Sequence, residues 1–189
     1  MKMAARFRKG LNLVRDNRQL VCLVLFTYFA LVVFGYTRPH YFEDQLQSTM
    51  EQRAAAMKGM NVTEIIAYLL GGNLAAMGLS TFLGIVFLPV LSLTVNGYSL
   101  GAGLNSRIAE DGLLDAFRLL PHGMFEIPAL AISLAFGLRI SLCWFKRDRL
   151  ANLKTAYKEA LLVYFLVVLP LLVVAGTIEG IGIWIIRGD

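Results

Sequence analysis

The stretch IIAYLLGGNLAAMGLSTFLGIVFLPVLSLTVNGYSLGAGLNS, residues 65–106, contains no charged side chain over its 42 residues. A helix that crosses a bilayer needs about 20 apolar residues, so the stretch is long enough for two crossings. Pro89 lies near its middle and marks the turn, because proline is tolerated in the first turn of a helix but not in its interior. The stretch therefore predicts two spanning helices joined tightly, at about 65–86 and 88–107.

The composition of the whole chain also indicates a membrane protein. Of the 189 residues, 57% are hydrophobic and 16% are charged. Soluble domains average about 45–50% and about 25%. Disordered chains are poor in apolar residues and are excluded. Cys22 and Cys143 both lie in apolar stretches, which excludes a disulfide framework. We interpret residues 1–189 as a single all-α membrane domain.

Three more apolar stretches bring the predicted number of spanning helices to five. Each of these stretches meets the length that a crossing requires, about 17–25 residues. The connecting segments predict short amphipathic helices at the membrane surface. The five predicted spans are about 20–36, 65–86, 88–107, 119–145 and 160–186.

Two polar segments flank the first span. Residues 1–19 carry six Lys and Arg against one Asp, with apolar residues at helical spacing, which is typical of a basic helix on a membrane surface. Residues 40–64 predict a second amphipathic helix. At its end, Asn61 and Glu64 predict a capping box that begins the next helix.

The basic residues predict the orientation of the chain. Residues 1–19 and 146–158 together hold 11 of the 18 Lys and Arg, and such residues concentrate in cytoplasmic segments. We therefore expect a multi-pass protein of the cell membrane, with a cytoplasmic N-terminus and, after five spans, a C-terminus outside. This distribution explains the net charge of +5, so no nucleic acid is expected. The expected partners are membrane lipids, other membrane proteins and a second copy of the chain.

Small residues at four-residue spacing recur in the spans. Gly97 with Gly101 and Gly176 with Gly180 form two GxxxG pairs, and Gly84 follows Ser80 at the same spacing. Such faces let helix backbones approach closely in lipid. They predict close packing within the chain or between subunits.

Several ionisable or amide side chains fall inside the spans, where a charge costs about 2.5–3.5 kcal/mol and usually has a purpose. His122 and Glu126 are four residues apart, so one helix face presents both. We predict a polar cluster in the outer half of the membrane. It is either structural or a binding or proton-handling site. Its members are Asn73, His122, Glu126 and Glu179, with Asn96 below them.

The fourth span contains two further exceptions to its apolar character. Pro128 lies inside it and predicts a kink, because proline removes a backbone hydrogen bond. Arg139 lies seven residues before Lys146, about 10 Å deep on helix geometry. We expect Arg139 to extend toward the cytoplasmic surface.

Catalytic patterns are absent from the sequence. The two histidines, His40 and His122, do not form an HExxH motif or a metal cluster of several His and Cys. We expect no enzymatic activity, no metal and no cofactor. An intramembrane hydrolase is the weakest hypothesis, because Ser80 is not a credible nucleophile.

The segment PHGMFEIPA, residues 121–129, followed by GLR at 137–139, resembles the stage II sporulation protein M family. The family pattern reads P-H-G-x-x-E-x-P-A, then Gly-Leu-Arg. The resemblance covers about residues 20–186 and implies five spans. Other matching positions are Asn73, Gly84, Asn96-Gly97, Gly101 and Ile178-Glu179-Gly180.

The resemblance implies a role for the chain. In endospore formers the family member works at the engulfing septal membrane with a partner that degrades peptidoglycan and another membrane-anchored partner, and is thought to scaffold them. The leading hypothesis is a non-enzymatic membrane scaffold or complex subunit. The alternative is a transporter or channel component with an outer-half polar site for a small solute or lipid.

Overall fold

Helices are the regular elements in residues 2–83, 87–112 and 120–187, which the computed structural model describes. A short 3-10 helix, Pro39–Phe42, and a π-helical segment, Tyr164–Val168, connect some of the α-helices. The α-helices are α1 (Lys2–Asp16), α2 (Arg18–Thr37), α3 (Glu43–Met57), α4 (Val62–Phe82), α5 (Leu88–Asp111), α6 (Leu120–Cys143), α7 (Arg149–Val163) and α8 (Leu169–Arg187).

Four helical stretches in the described residues are long and apolar enough to cross a membrane: α2, α4, α6 and the helix over 149–186. The sequence predicts five such helices, and the fifth would be α5. This helix has 24 residues, but its mean hydropathy is too low for a candidate span, because Asn96, Asn105 and several Ser and Gly lower it. The all-helical class and a multi-pass membrane arrangement agree with the prediction, whereas the count of five is not confirmed by hydropathy.

Local sequence signals set where two of these helices begin. The Asn61 side chain accepts the Glu64 N–H at 3.1 Å, and a Glu64 carboxylate oxygen accepts the Asn61 N–H at 2.9 Å. This confirms the predicted capping box at the start of α4. At α5, Phe87 has a left-handed backbone, with φ of 56°, and Pro89 lies in the first turn. The turn near Pro89 is therefore as predicted.

Two predicted boundaries need correction. The third predicted span, 88–107, ends later, because α5 continues to Asp111. The fifth predicted span, 160–186, does not begin as a separate helix, because α7, the π-helical segment and α8 form one continuous helix. The predicted positions 84–86 and 113–119, including Gly84, lie outside the described residues.

Pro170 explains the π-helical segment inside this long helix. Proline has no N–H to donate to the carbonyl four residues earlier, and its ring collides with that carbonyl in a regular α-helix. The turn over Tyr164–Val168 is wider than an α-turn and immediately precedes Pro170. The helix thus continues through the proline instead of ending there, which agrees with the usual role of a π-bulge.

Helices α4 and α6 run in the same direction, both antiparallel to the long helix 149–187. Near the start of α4, Gly180 packs against Ile66, and at its end the Tyr157 hydroxyl donates to the Phe82 carbonyl at 2.8 Å. Likewise, the start of α6 lies beside Glu179, and Arg139 near its end pairs with Glu159. The chain must therefore return to its starting side between α4 and α6.

Helix α5 makes that return while packed parallel to α2. A Cβ on Gly101 would overlap the Val32 carbonyl, and one on Gly97 would lie 2.8 Å from the Leu31 Cβ. Further along, the Asn105 side chain donates to the Tyr36 carbonyl at 2.9 Å. Contacts this close require glycine, because any other residue would push the two backbones apart.

The middle of α6 forms the centre of the molecule. Residues 129–137 are all buried, and α6 is the most enclosed of the four candidate spans. The Thr81 hydroxyl contacts Ser133, and the Ser133 hydroxyl donates to the Met77 carbonyl at 3.1 Å. These hydrogen bonds join α4 to α6 without leaving a buried hydroxyl unpaired.

The basic N-terminal helix α1 lies against α7 and the π-helical segment. Gly10 is buried, and a Cβ there would meet Val167 at 3.4 Å. The two segments that hold most of the basic residues, 1–19 and 146–158, therefore lie at the same end of the molecule. This end also contains the end of α4, through Phe82 and Tyr157.

Candidate functional site

Three predicted site residues come together at the start of α6. His122 and Glu126 lie one helical turn apart, and Glu179 reaches them from α8. A His ring nitrogen and one carboxylate oxygen from each Glu all lie within 4.8 Å of one another. We call these three side chains the His–Glu–Glu group, and this part of α6 its histidine end. They meet because α6 and α8 run in opposite directions, which places the start of α6 beside the end of α8.

The side chains of the His–Glu–Glu group are not joined by hydrogen bonds. All three residues are partly buried, and within the described part of the chain none of the three side chains makes a hydrogen bond or an ion pair. Arg53 of α3 attracts Glu126 electrostatically without forming an ion pair, and Tyr28 of α2 interacts with the same charge. Two carboxylates thus face each other with a distant cation and a neighbouring imidazole.

The two asparagines predicted with this group lie on other helices, Asn96 on α5 and Asn73 on α4. Asn96 is exposed on α5, and its side-chain amide donates to the Ser92 carbonyl of its own helix at 2.8 Å. Asn73 is partly buried on α4, beside Leu74, whose carbonyl accepts a hydrogen bond from Tyr164. The structure therefore brings together three of the five predicted residues, His122, Glu126 and Glu179, and the membership of Asn73 stays a prediction.

Pro128 lies inside the continuous helix α6, next to the buried stretch 129–137. Its missing N–H leaves the Met124 carbonyl, four residues earlier, without its helical partner. Met124 and Glu126 are two residues apart, so that carbonyl lies on the turn that also carries Glu126. The proline therefore adds an acceptor to the histidine end of α6.

The other end of α6 carries a charged pair that sequence reasoning missed. Arg139 pairs with Glu159 of α7, with the side chains 28% and 25% exposed. The sequence predicts only that Arg139 extends toward the cytoplasmic surface, and it does not predict the partner on α7. We call this the arginine end of α6.

The predicted packing glycines lie at contacts inside the chain. Gly97 and Gly101 face α2, and Gly176 and Gly180 face Leu70 and Ile66 of α4. In contrast, a Cβ on Gly71 or Gly72 of α4 would meet nothing within 4 Å. Both glycines are exposed, as are Ala75 and Ala76 one turn later. We call these four residues the small face of α4.

The comparison with models of protein families decides the family. Residues 20–182 match the model for Stage II sporulation protein M. The chain belongs to this family. Comparisons with curated proteins and with solved structures give no match. The family segment P-H-G-x-x-E-x-P therefore corresponds to the histidine end of α6, and its Gly-Leu-Arg to the arginine end.

Proposed function

We propose that this member of the stage II sporulation protein M family is a non-enzymatic scaffold or complex subunit that assembles partner proteins at the cell membrane. The proposal includes five crossings, a cytoplasmic N-terminus and a C-terminus outside. The family match supports a multi-pass membrane protein. The arrangement of the helices supports the finer parts of the proposal, as follows.

The helix directions favour α5 as the fifth crossing. Since α4 and α6 run the same way, the chain has to cross the same thickness between them, and α5 lies there with 24 residues. Its polar residues are partly accommodated against α2, as Asn105 shows by donating to Tyr36. A helix of modest hydropathy is tolerated in a membrane when neighbouring helices satisfy its polar groups.

The position of the basic segments favours the proposed orientation. Helix α1 packs on α7, so the Lys and Arg of both segments lie at the arginine end of the bundle. Cytoplasmic segments are enriched in these residues. The histidine end and the end of α8 would then face outward.

The scaffold role is supported by the space around the glycines of the membrane helices. Gly97, Gly101 and Gly180 pack closely against other helices of the chain, whereas a Cβ on Gly71 or Gly72 would meet no atom within 4 Å. Small residues in a membrane helix let a second helix approach closely. The small face of α4 is therefore the place at which a helix of a partner protein would pack.

The second candidate is a transporter or channel component, which the His–Glu–Glu group favours. A small solute or lipid headgroup would bind there. The buried stretch 129–137 of α6 counts against a passage through the centre of the bundle. A groove of about 520 Å³ lies elsewhere, between α3 and α5, and Met50, Glu51 and Arg107 contribute to its lining.

The test is cross-linking in native membranes, purification and mass spectrometry of the attached proteins. A stoichiometric partner should be recovered with the unaltered chain and lost with Gly72→Leu. Gly182→Leu is the matched control, because a Cβ on Gly182 also meets nothing within 4 Å but lies on α8. Recovery of the homo-oligomer alone, with a bound lipid or solute that Glu126→Gln abolishes, would replace the scaffold with the transporter.

A further inference from the structure

The His–Glu–Glu group consists of side chains that commonly bind metal ions, and the scaffold role does not require such side chains. Two carboxylates and an imidazole, on two different helices, place their ligand atoms within 4.8 Å of one another. A metal ion that contacts all three would lie about 2.0–2.2 Å from each ligand atom, so the ligand atoms would be less than about 4.4 Å apart. A small rotation of the side chains would bring the three atoms onto one ion. Glu126 and Glu179 are 53 positions apart in the sequence, so folding brings them together.

The electrostatics of the group call for a positive charge. Like charges this close disfavour each other's ionised forms, and the penalty grows where water is scarce. Within the described residues, neither Glu126 nor Glu179 forms an ion pair, and Arg53 acts on Glu126 only from a distance. His122 places a ring nitrogen beside the two oxygens. A bound cation would neutralise both carboxylates and use the imidazole lone pair at the same time.

We propose that His122, Glu126 and Glu179 bind one divalent transition-metal ion, which connects the histidine end of α6 to α8. Imidazole favours ions such as zinc, whereas a site of carboxylates alone would favour magnesium or calcium. Three protein ligands leave one tetrahedral position open, and water or a ligand from outside would occupy it. The inference is independent of the scaffold role, because it concerns the isolated chain.

A shared proton is the competing explanation for two adjacent carboxyl groups. One protonated and one ionised carboxyl group relieve the repulsion without a metal. That arrangement requires Glu126 and Glu179 but not His122. The effect of substituting His122 therefore separates the two explanations.

The experiment uses the full chain purified in detergent, treated with a chelator and then titrated with ZnCl₂. Calorimetry and metal analysis after desalting should give one zinc per chain, together with a higher melting temperature in zinc. Glu126→Gln, Glu179→Gln and His122→Gln should each weaken zinc binding at least tenfold, since each removes one of three ligands. His40→Gln is the matched control, because His40 is exposed on the 3-10 helix, and it should leave zinc binding unchanged.

A further variant keeps the test decisive if the glutamine variants fail to fold. His122→Cys retains a zinc ligand, and thiolate favours zinc over manganese, so this variant should still bind zinc and discriminate more strongly against MnCl₂. Absence of stoichiometric zinc in the unaltered chain would overturn the proposal. So would equal zinc binding by the Glu126→Gln/Glu179→Gln double variant. Because partner recovery with Gly72→Leu is measured separately, the metal site and the scaffold can each fail alone.

Discussion

At the arginine end of α6, Arg139 meets an opposite charge on α7; at the histidine end, Glu126 meets a like charge on α8. Both ends belong to one helix of 24 residues and contact the same long helix, 149–187. The charges at the arginine end are neutralised within the chain by the pairing of Arg139 with Glu159, although Arg139 Nη1 is buried without a hydrogen-bond partner in the described residues. The histidine end has unbalanced charge and open hydrogen-bonding capacity. The difference indicates that the first end holds the fold together and the second receives a ligand.

The largest effect is expected beside Arg139, at Gly137. A Cβ there would lie 2.5 Å from the Ser80 carbonyl oxygen and 2.8 Å from Pro89. Because backbone atoms cannot move aside, Gly137→Ala should lower the free energy of unfolding by about 3 kcal/mol, the upper part of the usual overpacking range. Gly123→Ala on the same helix is the control, since its Cβ would meet Ile127 at 3.9 Å. Thermal unfolding in detergent measures both, and equal melting temperatures would contradict close packing of α6 on α4.

The next largest effect distinguishes the two ends directly. Glu159→Gln leaves the Arg139 cation unpaired and should cost about 2 kcal/mol, less than for a fully buried pair because both side chains remain partly exposed. Glu179→Gln, measured in chelator, removes a like-charge contact and should raise stability by up to about 1 kcal/mol. Chemical unfolding of both variants measures the difference. Destabilisation of similar size in both would mean that the ends are alike.

The smallest effect concerns the residue that the structure separates from the histidine end. Asn96→Ala removes an exposed side chain bonded to its own helix, and such changes usually remain within about 0.5 kcal/mol. We also expect no change in zinc binding. A tenfold weaker zinc affinity would place Asn96 in the site after all and contradict the arrangement described above.

The sequence predicts what depends on length and local pattern. Charge-free stretches predict the helices, and Asn61 with Glu64 predicts the start of α4. The alternation of helix directions brings His122, Glu126 and Glu179 to one end. The structure agrees with these predictions because each depends on the position of a residue along a helix, which is read directly from the sequence.

Other features depend on how a helix is rotated about its axis or on where a partner lies. Asn96 is exposed and bonded to its own helix, because the packing of Gly97 and Gly101 on α2 sets the rotation of α5. The pairing of Arg139 with Glu159 requires two helices to be placed side by side. Neither relation is encoded in a local spacing, so residue patterns alone do not predict it.

The continuity of the helix over 149–186 makes it longer than one membrane crossing requires. Its 38 residues rise about 57 Å at 1.5 Å per residue, almost twice the hydrocarbon thickness of about 30 Å. It begins among the basic residues near α1 and ends beyond Glu179, with no loop in between. The π-helical segment and Pro170 lie between its two ends, and these are the positions at which long helices usually bend. The angle of the helix at this segment therefore sets where Glu179 lies relative to the basic end.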